Sequence, residues 1–251
     1  MKVFILATCR KPELLPWTVL VFDTLRVGFP TAHVKVYLNN LTGTALESVE
    51  ALCFGNDCEH ERVTTIHHDW IAKLLTENQE PFWILDTDVI FFAKVEDFQF
   101  DAPLAGHRIP EFMDEFSGCI TRSRLHTSLL RFDPEKIGYR LRAIRRIIPD
   151  TPFTPFPTLV DPIIVPLRSR LYFYDTCSSL YHAVGGQKFE AEQKNCYWHA
   201  HFGTISDLVL PRLKNGEAME KRREEILTKP HLGYGLWREG EQWLRDRQPQ
   251  L

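Results

Sequence analysis

Two aspartates interrupt a strongly apolar segment of the chain, Pro81–Phe92, which reads PFWILDTDVIFF. Four apolar residues precede Asp86-Thr87-Asp88, and four more follow it directly. A run of this kind is typical of a strand that is buried on both faces, as in a mostly parallel sheet. Carboxylates are almost never fully buried unless they are paired or bound to a metal ion. Two of them at i and i+2, at the end of a core strand, therefore require a partner.

The position of the two aspartates suggests what that partner is. In open α/β sheets, ligands bind beyond the carboxyl ends of the strands. Mg²⁺ is usually held by one or two carboxylates together with the phosphates of a substrate. We therefore predict a divalent cation that joins Asp86 and Asp88 to a phosphorylated substrate. An ion pair or a turn-capping role is the alternative for the two side chains.

The segments before Pro81 alternate between strand and helix patterns. Strand patterns cover Lys2–Thr8, His33–Leu38 and Arg62–His67, and a helix pattern follows each of them. This alternation predicts a Rossmann-like α/β fold, with a mostly parallel central sheet flanked by helices. The fingerprint GxGxxG is missing after the first strand, so we do not expect a dinucleotide site.

The second half of the chain is less regular. Leu104–Ile109 and Arg124–Phe132 predict further strands, and Asp133-Pro134 predicts the start of a helix. The proline-rich segment Asp150–Pro166 predicts an irregular connection. The polar segment Gly185–Asn195 predicts a mobile loop over a binding site.

Composition limits the classes of partner. The net charge of −3 gives no reason to expect nucleic acid, and no apolar run approaches the roughly 20 residues that span a bilayer. Six scattered cysteines are typical of reduced thiols, so we expect a cytoplasmic protein. The one suggestive zinc pattern is Cys53-x4-Cys58-x-His60, followed by His67 and His68. It lacks CxxC-type spacing and a second ligand pair, so we expect a loop with a small buried thiol instead.

The predicted helix after Asp133 has a basic character. It could contact an acidic lipid surface, as a peripheral membrane protein does, or an anionic acceptor. A solvated outer face is the alternative. The basic residues are Lys136, Arg140, Arg142, Arg145 and Arg146.

Three segments resemble one enzyme family. Asp69–Phe98 (DWIAKLLTENQEPFWILDTDVIFFAKVEDF) resembles the donor-site region of GT-A fold glycosyltransferases, and most of all the glycogenin and lipopolysaccharide-galactosyltransferase group (glycosyltransferase family 8-like). His201-Phe202-Gly203 is similar to the HFxG segment of that group. Leu125–Asp133 (LHTSLLRFD) is similar to its strand NSGVLLFD, with His126 in place of the asparagine. Thr204–Asp207 replaces the Lys-Pro-Trp that follows the HFxG segment in the family.

The resemblance implies a single GT-A domain over residues 1–251. Residues 1–100 would form the donor-binding half, 101–210 the acceptor-side half and 211–251 a C-terminal helical tail. The implied activity is a metal-dependent, retaining hexosyltransferase that moves a sugar from a UDP-sugar to a saccharide or other hydroxyl acceptor, with bacterial surface polysaccharide synthesis as one setting. Mn²⁺ or Mg²⁺ is the implied cofactor, and an imidazole ligand favours Mn²⁺.

The resemblance also implies a metal-ligand set. Asp86 would contact the metal ion or the ribose, Asp88 would bind the metal ion directly, and His201 would be the third protein ligand. His199 would face the same side of a strand as His201, which makes it the alternative ligand or a neighbour of the site. An ordinary hydrogen-bonded histidine is the alternative for both imidazoles.

Further residues are implied at the donor and acceptor. The donor residues are at strand ends, in the Asp-Thr-Asp segment or on the helix before it: Thr8, Arg10, Asn39, Lys73, Thr87 and Arg108. A turn-forming role for Asn39 and a solvated Lys73 are the alternatives. The candidate acceptor-side carboxylates are Asp114, Glu115 and Asp161, and an inverting enzyme would use one of them as base. We count Asp161 with Asp86 and Asp88 as the candidate catalytic residues.

Two other classes of function remain open from the sequence. ILDTDVIFF also fits the DxDxT/V signature of haloacid-dehalogenase-like phosphohydrolases, but those enzymes need the motif on their first strand. A non-catalytic protein that binds a nucleotide-sugar or a glycan would retain the same metal ligands.

Overall fold

A computed structural model describes residues 1–8, 15–113, 119–147, 159–167 and 170–199 of the chain. Three strand–helix units precede the strand that leads into Asp86, as the alternating pattern predicts. The elements up to that strand are β1 (Lys2–Ala7), α1 (Leu15–Gly28), β2 (His33–Asn39), α2 (Gly43–Gly55), β3 (Glu59–Val63), α3 (His67–Glu77) and β4 (Phe82–Leu85).

The elements after Asp86 are shorter and more mixed in order. They are β5 (Val89–Phe91), β6 (Leu104–Ile109), β7 (Phe112–Met113), β8 (Ile120–Thr121), β9 (Arg124–Phe132), α4 (Pro134–Ile147), β10 (Ile163–Leu167), β11 (Arg170–Tyr174), α5 (Ser178–Val184), β12 (Gln187–Lys188), α6 (Ala191–Lys194) and β13 (Tyr197–His199).

The central sheet has seven strands in the order β12-β6-β9-β4-β1-β2-β3. β3, β2, β1 and β4 are parallel neighbours, and so are β12 and β6. β9 runs antiparallel to both β4 and β6. The predicted α/β fold with a mostly parallel sheet is therefore confirmed. Because β9 is reversed, its first residues lie at the edge where β1, β2 and β4 end.

Apolar side chains pack against both faces of this sheet. Along β1, Val3 and Ile5 belong to one buried cluster and Phe4 and Leu6 to another. The first cluster includes residues of α1 and α2, and the second includes residues of α3, α4 and α5. Burial on both faces explains the continuous apolar run of β1, because neither face meets water.

Three predicted segments differ from the structure. The strand expected over Pro81–Phe92 is divided, because the chain turns at Asp86–Asp88 and β5 joins β13 in a separate two-stranded sheet. The expected loop Gly185–Asn195 contains β12 and α6, and Glu190 and Gln193 form a capping box at the start of α6. Of the predicted irregular connection Asp150–Pro166, residues 150–158 lie outside the described residues, and its last four residues belong to strand β10, which pairs with β11.

β3 also begins and ends earlier than the predicted strand Arg62–His67. It is the edge strand of the sheet and pairs only with β2 within the described chain. Its side chains are exposed or half-buried, so the apolar pattern that marks the inner strands is absent from its sequence, EHERV. His67, expected at the end of this strand, is instead the first residue of α3.

The helix predicted after Asp133 is α4. Its backbone starts as expected, because the Lys136 N–H donates to Asp133 Oδ1 at 3.2 Å. Arg140 and Arg142 are exposed on its outer side, while Ile137 is buried. Within the described ranges, neither α4 nor any other helix has the length and hydrophobicity to cross a bilayer.

The end of α1 anchors β5, the strand that follows the two aspartates. The Phe91 N–H donates to Thr24 Oγ1 at 3.2 Å, and the Gly28 carbonyl accepts the N–H groups of Val95 and Glu96 at 2.9 and 3.1 Å. The Phe91 ring lies against Gly28 so closely that a Cβ there would be 2.5 Å from its Cγ atom. This contact requires glycine at the end of α1.

Gly28→Ala is therefore expected to destabilise the protein. The added methyl group must displace the fully buried Phe91 ring, and overpacking of this kind costs about 1–3 kcal/mol. Thermal denaturation of the two purified proteins measures the difference. Gly55→Ala is the matched control, since a Cβ at Gly55 has nothing within 4 Å. Equal melting temperatures for the two variants would contradict the packing described here.

Candidate functional site

The Asp-Thr-Asp turn lies at the carboxyl edge of the parallel half of the sheet. β4 ends at Leu85, and the Asp86 N–H then donates to the Ser128 carbonyl of β9 at 2.8 Å. Asp88 is buried, and the Asp86 side chain is 31% exposed. The turn is thus held from the neighbouring strand, while one of its two carboxylates still reaches solvent.

Strand pairing brings a distant histidine to this turn. β13 runs antiparallel to β5, and its register places His199 opposite Val89, the residue after Asp88. His199 Nε2 lies 3.1 Å from Asp88 Oδ1. One ligand atom each from Asp86, Asp88 and His199 lies within 4.8 Å of the other two. We refer to these three residues as the acidic-histidine group.

The short ladder between β5 and β13 depends on contacts on both sides of β5 at its carboxyl end. The N–H groups of Phe92 and Ala93 donate to the Cys196 carbonyl at 2.8 and 3.2 Å. At the other side of β5, Thr24 of α1 holds Phe91. The register that places His199 beside Asp88 is therefore fixed by α1 and by the segment before β13.

Electrostatics in the acidic-histidine group favours a bound cation. Burial, and then the neighbouring Asp88 carboxylate, raise the pKa of Asp86 from 3.8 to about 7. Burial opposes the charged form of His199, but the carboxylates of Asp88 and Asp86 outweigh it and raise its pKa above 6.5. Two neighbouring carboxylates that resist ionising together, with an imidazole beside them, form an oxygen and nitrogen donor set of the kind that suits Mn²⁺.

Three more histidines surround this group. His67 Nε2, on α3, lies 4.0 Å from Asp86 Oδ1, and burial lowers the pKa of His67 to about 4, so this ring is neutral. The His126 and His199 ring centroids are 4.8 Å apart. Burial, then the charges of Lys194 and His199, lower the pKa of His107 on β6. None of these three residues is assigned to the site from the sequence; His126 alone has a signal there, as the replacement of the family asparagine in Leu125–Asp133.

Two of the predicted donor residues come together on the neighbouring strand ends. Asn39, at the end of β2, donates through Nδ2 to Thr8 Oγ1 at 3.4 Å. Its Oδ1 accepts the Thr65 N–H at 3.0 Å. Asn39 is buried, so these bonds hold the ends of β1 and β2 to the segment before α3. Both residues lie at the same edge of the sheet as Asp86.

Lys73, Arg108 and Asp161 do not belong to the acidic-histidine group. The Lys73 ammonium lies 5.8 Å from the Tyr37 ring centroid of β2. Arg108 is exposed on β6, opposite Leu125. Asp161 is in a second cluster with His68 and Asp69, whose ligand atoms are within 4.8 Å of one another. Four other predicted residues lie outside the described residues: Arg10, Asp114, Glu115 and His201.

Comparison with known proteins finds similarity among solved structures. No protein-family model matches the chain, and no curated protein matches it. Similar structures include the apo form of the bifunctional glycosyltransferase WbbM (11% identity over 89% of this chain and 44% of that one, TM-score 0.48). The galactosyltransferase LgtC in complex with donor and acceptor sugar analogs is also similar (10% identity, 76% and 74%, TM-score 0.41). The mannosyltransferase PcManGT from Pyrobaculum calidifontis, in complex with GDP-Man and Mn²⁺, is a third (13% identity, 55% and 46%, TM-score 0.38). All three are glycosyltransferases, the class that the sequence motifs resemble.

Asp86→Asn is expected to stabilise the metal-free protein at pH 8. The pKa of Asp86 is higher in the folded protein than in the unfolded chain, so its ionised form destabilises the fold as the pH rises from about 4 to 7. The amide removes that charge. We expect the free energy of unfolding to rise by on the order of 1 kcal/mol, because solvent screens the charge of this part-exposed group. Thermal denaturation in a chelator measures it, and the gain should disappear near pH 4.

Asp88→Asn is the matched comparison for this experiment. It removes the carboxylate that pairs with His199, so no gain in stability is expected at pH 8. Two variants that lose stability equally at pH 8 would contradict the electrostatic account of the site.

Proposed function

We propose that this protein is a metal-dependent glycosyltransferase. It would transfer a sugar from a nucleotide-diphospho-sugar, with a UDP-sugar as the expected donor, to a hydroxyl group of a saccharide or other acceptor. The observation that supports this proposal most directly is the acidic-histidine group at the carboxyl edge of a parallel sheet, where ligands of open α/β sheets bind. The resemblance of Asp69–Phe98 and Leu125–Asp133 to GT-A sequences supports the choice of reaction.

The chain's own residues have distinct tasks in this reaction. Asp86 and Asp88 supply carboxylate oxygens for a divalent cation, and His199 supplies a nitrogen. A divalent ion at such a site stabilises the negative charge that develops on a leaving diphosphate. Asp88 is buried and held beside His199, so it keeps its position when a ligand binds. The Asp86 side chain is part-exposed and faces the incoming donor.

The neighbouring strand ends provide a place for the rest of the donor. Thr8 and Asn39 lie at the ends of β1 and β2, and we assign them to the ribose and base. The start of α3 brings His67 close to the Asp86 carboxylate, and the next two residues, His68 and Asp69, form a cluster with Asp161. We assign this cluster to the acceptor side. Retention of anomeric configuration is the outcome expected from the sequence resemblance.

The phosphohydrolase alternative is disfavoured by topology. Its signature belongs on the first strand, whereas β1, β2 and β3, each with its helix, precede the Asp-Thr-Asp turn here. A non-catalytic binder of nucleotide-sugars would have the same geometry as the enzyme, and the two are separated by the turnover measurement below.

UDP is expected to raise the melting temperature of the full chain only when Mn²⁺ is present. The diphosphate and the two carboxylates are all anionic, so they bind together only through a cation between them. Asp88→Asn should lose the shift. Asp97→Asn is the matched control, because this exposed carboxylate pairs with Lys94 at the surface and should keep the shift. An equal shift by UDP in a chelator would contradict the proposed metal site, and stabilisation by phosphate analogues without nucleotide preference would favour the phosphohydrolase.

Mn²⁺-dependent release of UDP from a member of a UDP-sugar panel is the expected activity. A metal ion contributes several kcal/mol of charge stabilisation, so Asp88→Asn should lower the rate by about 100-fold or more. Coupled detection of free UDP measures it, with Asp97→Asn again as the control. Binding of UDP and Mn²⁺ without release from any donor, with or without added saccharide acceptors, would identify a non-catalytic binder.

A further inference from the structure

β9 has a bulge where it passes the Asp-Thr-Asp turn. Gly106 and Arg108 of β6 pair with Leu130 and Leu125 of β9, so a step of two residues on β6 corresponds to five on β9. The extra residues include His126 and Ser128. Bulges redirect side chains and are common beside active sites. Within the bulge, Leu129 still pairs with Leu85 of β4, and this is the last pair at the carboxyl end of β4.

Ser128 connects this bulge to the Asp-Thr-Asp turn. Its carbonyl accepts the Asp86 N–H at 2.8 Å. Its own N–H donates to His126 Nδ1 at 3.1 Å, and its Oγ lies 2.7 Å from the same nitrogen. Ser128 is buried, so water does not compete for these bonds. One residue therefore fixes both the backbone of Asp86 and the ring of His126.

The hydrogen bonds of Ser128 fix the orientation of the His126 ring. A backbone N–H can only donate, so it directs Nδ1 of His126 toward Ser128 as the acceptor. Because both Ser128 groups meet one ring nitrogen, the His126 ring has a single orientation.

The fixed ring contacts His199 of β13. The two ring centroids are 4.8 Å apart with an interplanar angle of 63°, which is an edge-to-face arrangement. His199 Nε2 meanwhile lies 3.1 Å from Asp88 Oδ1. The His199 imidazole is thus held between Asp88 and His126.

We propose that His126, anchored by Ser128, is a positioning residue that fixes the orientation of the His199 imidazole for metal binding. This inference rests on the proposed function, since it needs a metal ion at the acidic-histidine group. His126 acts through His199 and is not itself a ligand. Its Nδ1 is hydrogen-bonded to Ser128. Among the described residues, the ligand atoms that converge at the Asp-Thr-Asp turn belong to Asp86, Asp88 and His199. Partners of this kind change metal affinity by orienting the ligand.

The test measures the affinity of the full chain for Mn²⁺ alone, by calorimetry and by the Mn²⁺ electron paramagnetic resonance spectrum. His126→Asn is the main variant, because its amide oxygen still accepts the Ser128 N–H while the ring contact with His199 is lost. We expect its Kd for Mn²⁺ to rise about 10-fold or more, within the 10–100-fold range of such partners, with a changed spectrum of the bound ion. His126→Ala, which loses both contacts, should weaken binding further, and Ser128→Ala should weaken it less because the backbone N–H remains.

His182→Asn is the matched control. Its ring also makes edge contacts, with Tyr174 and Tyr181, but these lie on β11 and α5 outside the acidic-histidine group. Its Kd for Mn²⁺ should stay within about twofold of the unmodified protein, since surface changes away from a site have little effect. The melting temperature of each metal-free variant separates a loss of fold from a loss of affinity.

Each outcome decides the proposal. If the unmodified protein binds Mn²⁺ and the His126→Asn variant has the same Kd and the same spectrum, the positioning role is overturned. The proposed function is then unaffected. A lower melting temperature for His126→Asn with unchanged Kd assigns the residue to packing alone, and also overturns it. Failure of the unmodified protein to bind Mn²⁺ overturns both the inference and the proposed function.

Discussion

The repulsion between two carboxylates at the end of β4 is the constraint on which the rest of the site depends. Asp86 and Asp88 are two residues apart, and burial beside Asp88 already raises the pKa of Asp86 to about 7. The same carboxylates of Asp88 and Asp86 raise the pKa of the neighbouring His199 imidazole, against the opposing effect of its burial. In the proposed function, a divalent ion satisfies all three groups at once, which would account for this charge in an otherwise apolar segment.

The surrounding fold keeps these groups together although they belong to different elements. β4 delivers Asp86 to the edge of the central sheet, α1 holds β5 through Thr24, and β13 brings His199 to Asp88 by a three-residue ladder. β9 runs antiparallel to β4, so its first residues lie beside the turn that follows the carboxyl end of β4. Stability and the proposed function therefore depend on the same contacts, and a change at Gly28 would be transmitted to the acidic-histidine group through Phe91.

Local sequence patterns were sufficient for the fold class and for the position of the two aspartates. The apolar run before Asp86 is a local signal, and strand β4 ends at Leu85, directly before the first aspartate. The partner histidine was not determined by local signals, because the choice between His199 and His201 depends on the register of β13. The structure brings His199 to the aspartates, while His201 lies outside the described residues. The bulge of β9 could not be predicted from the sequence either, because it results from pairing with β6 and not from the sequence of β9 alone.

A crystal of the full chain soaked with Mn²⁺ and UDP, measured at the manganese absorption edge, tests the shared cation most directly. The account predicts one anomalous peak within coordinating distance of Asp86, Asp88 and His199, with the UDP diphosphate on its open side. A peak elsewhere would contradict the account. So would the absence of a peak in a crystal in which His199 Nε2 still contacts Asp88 Oδ1.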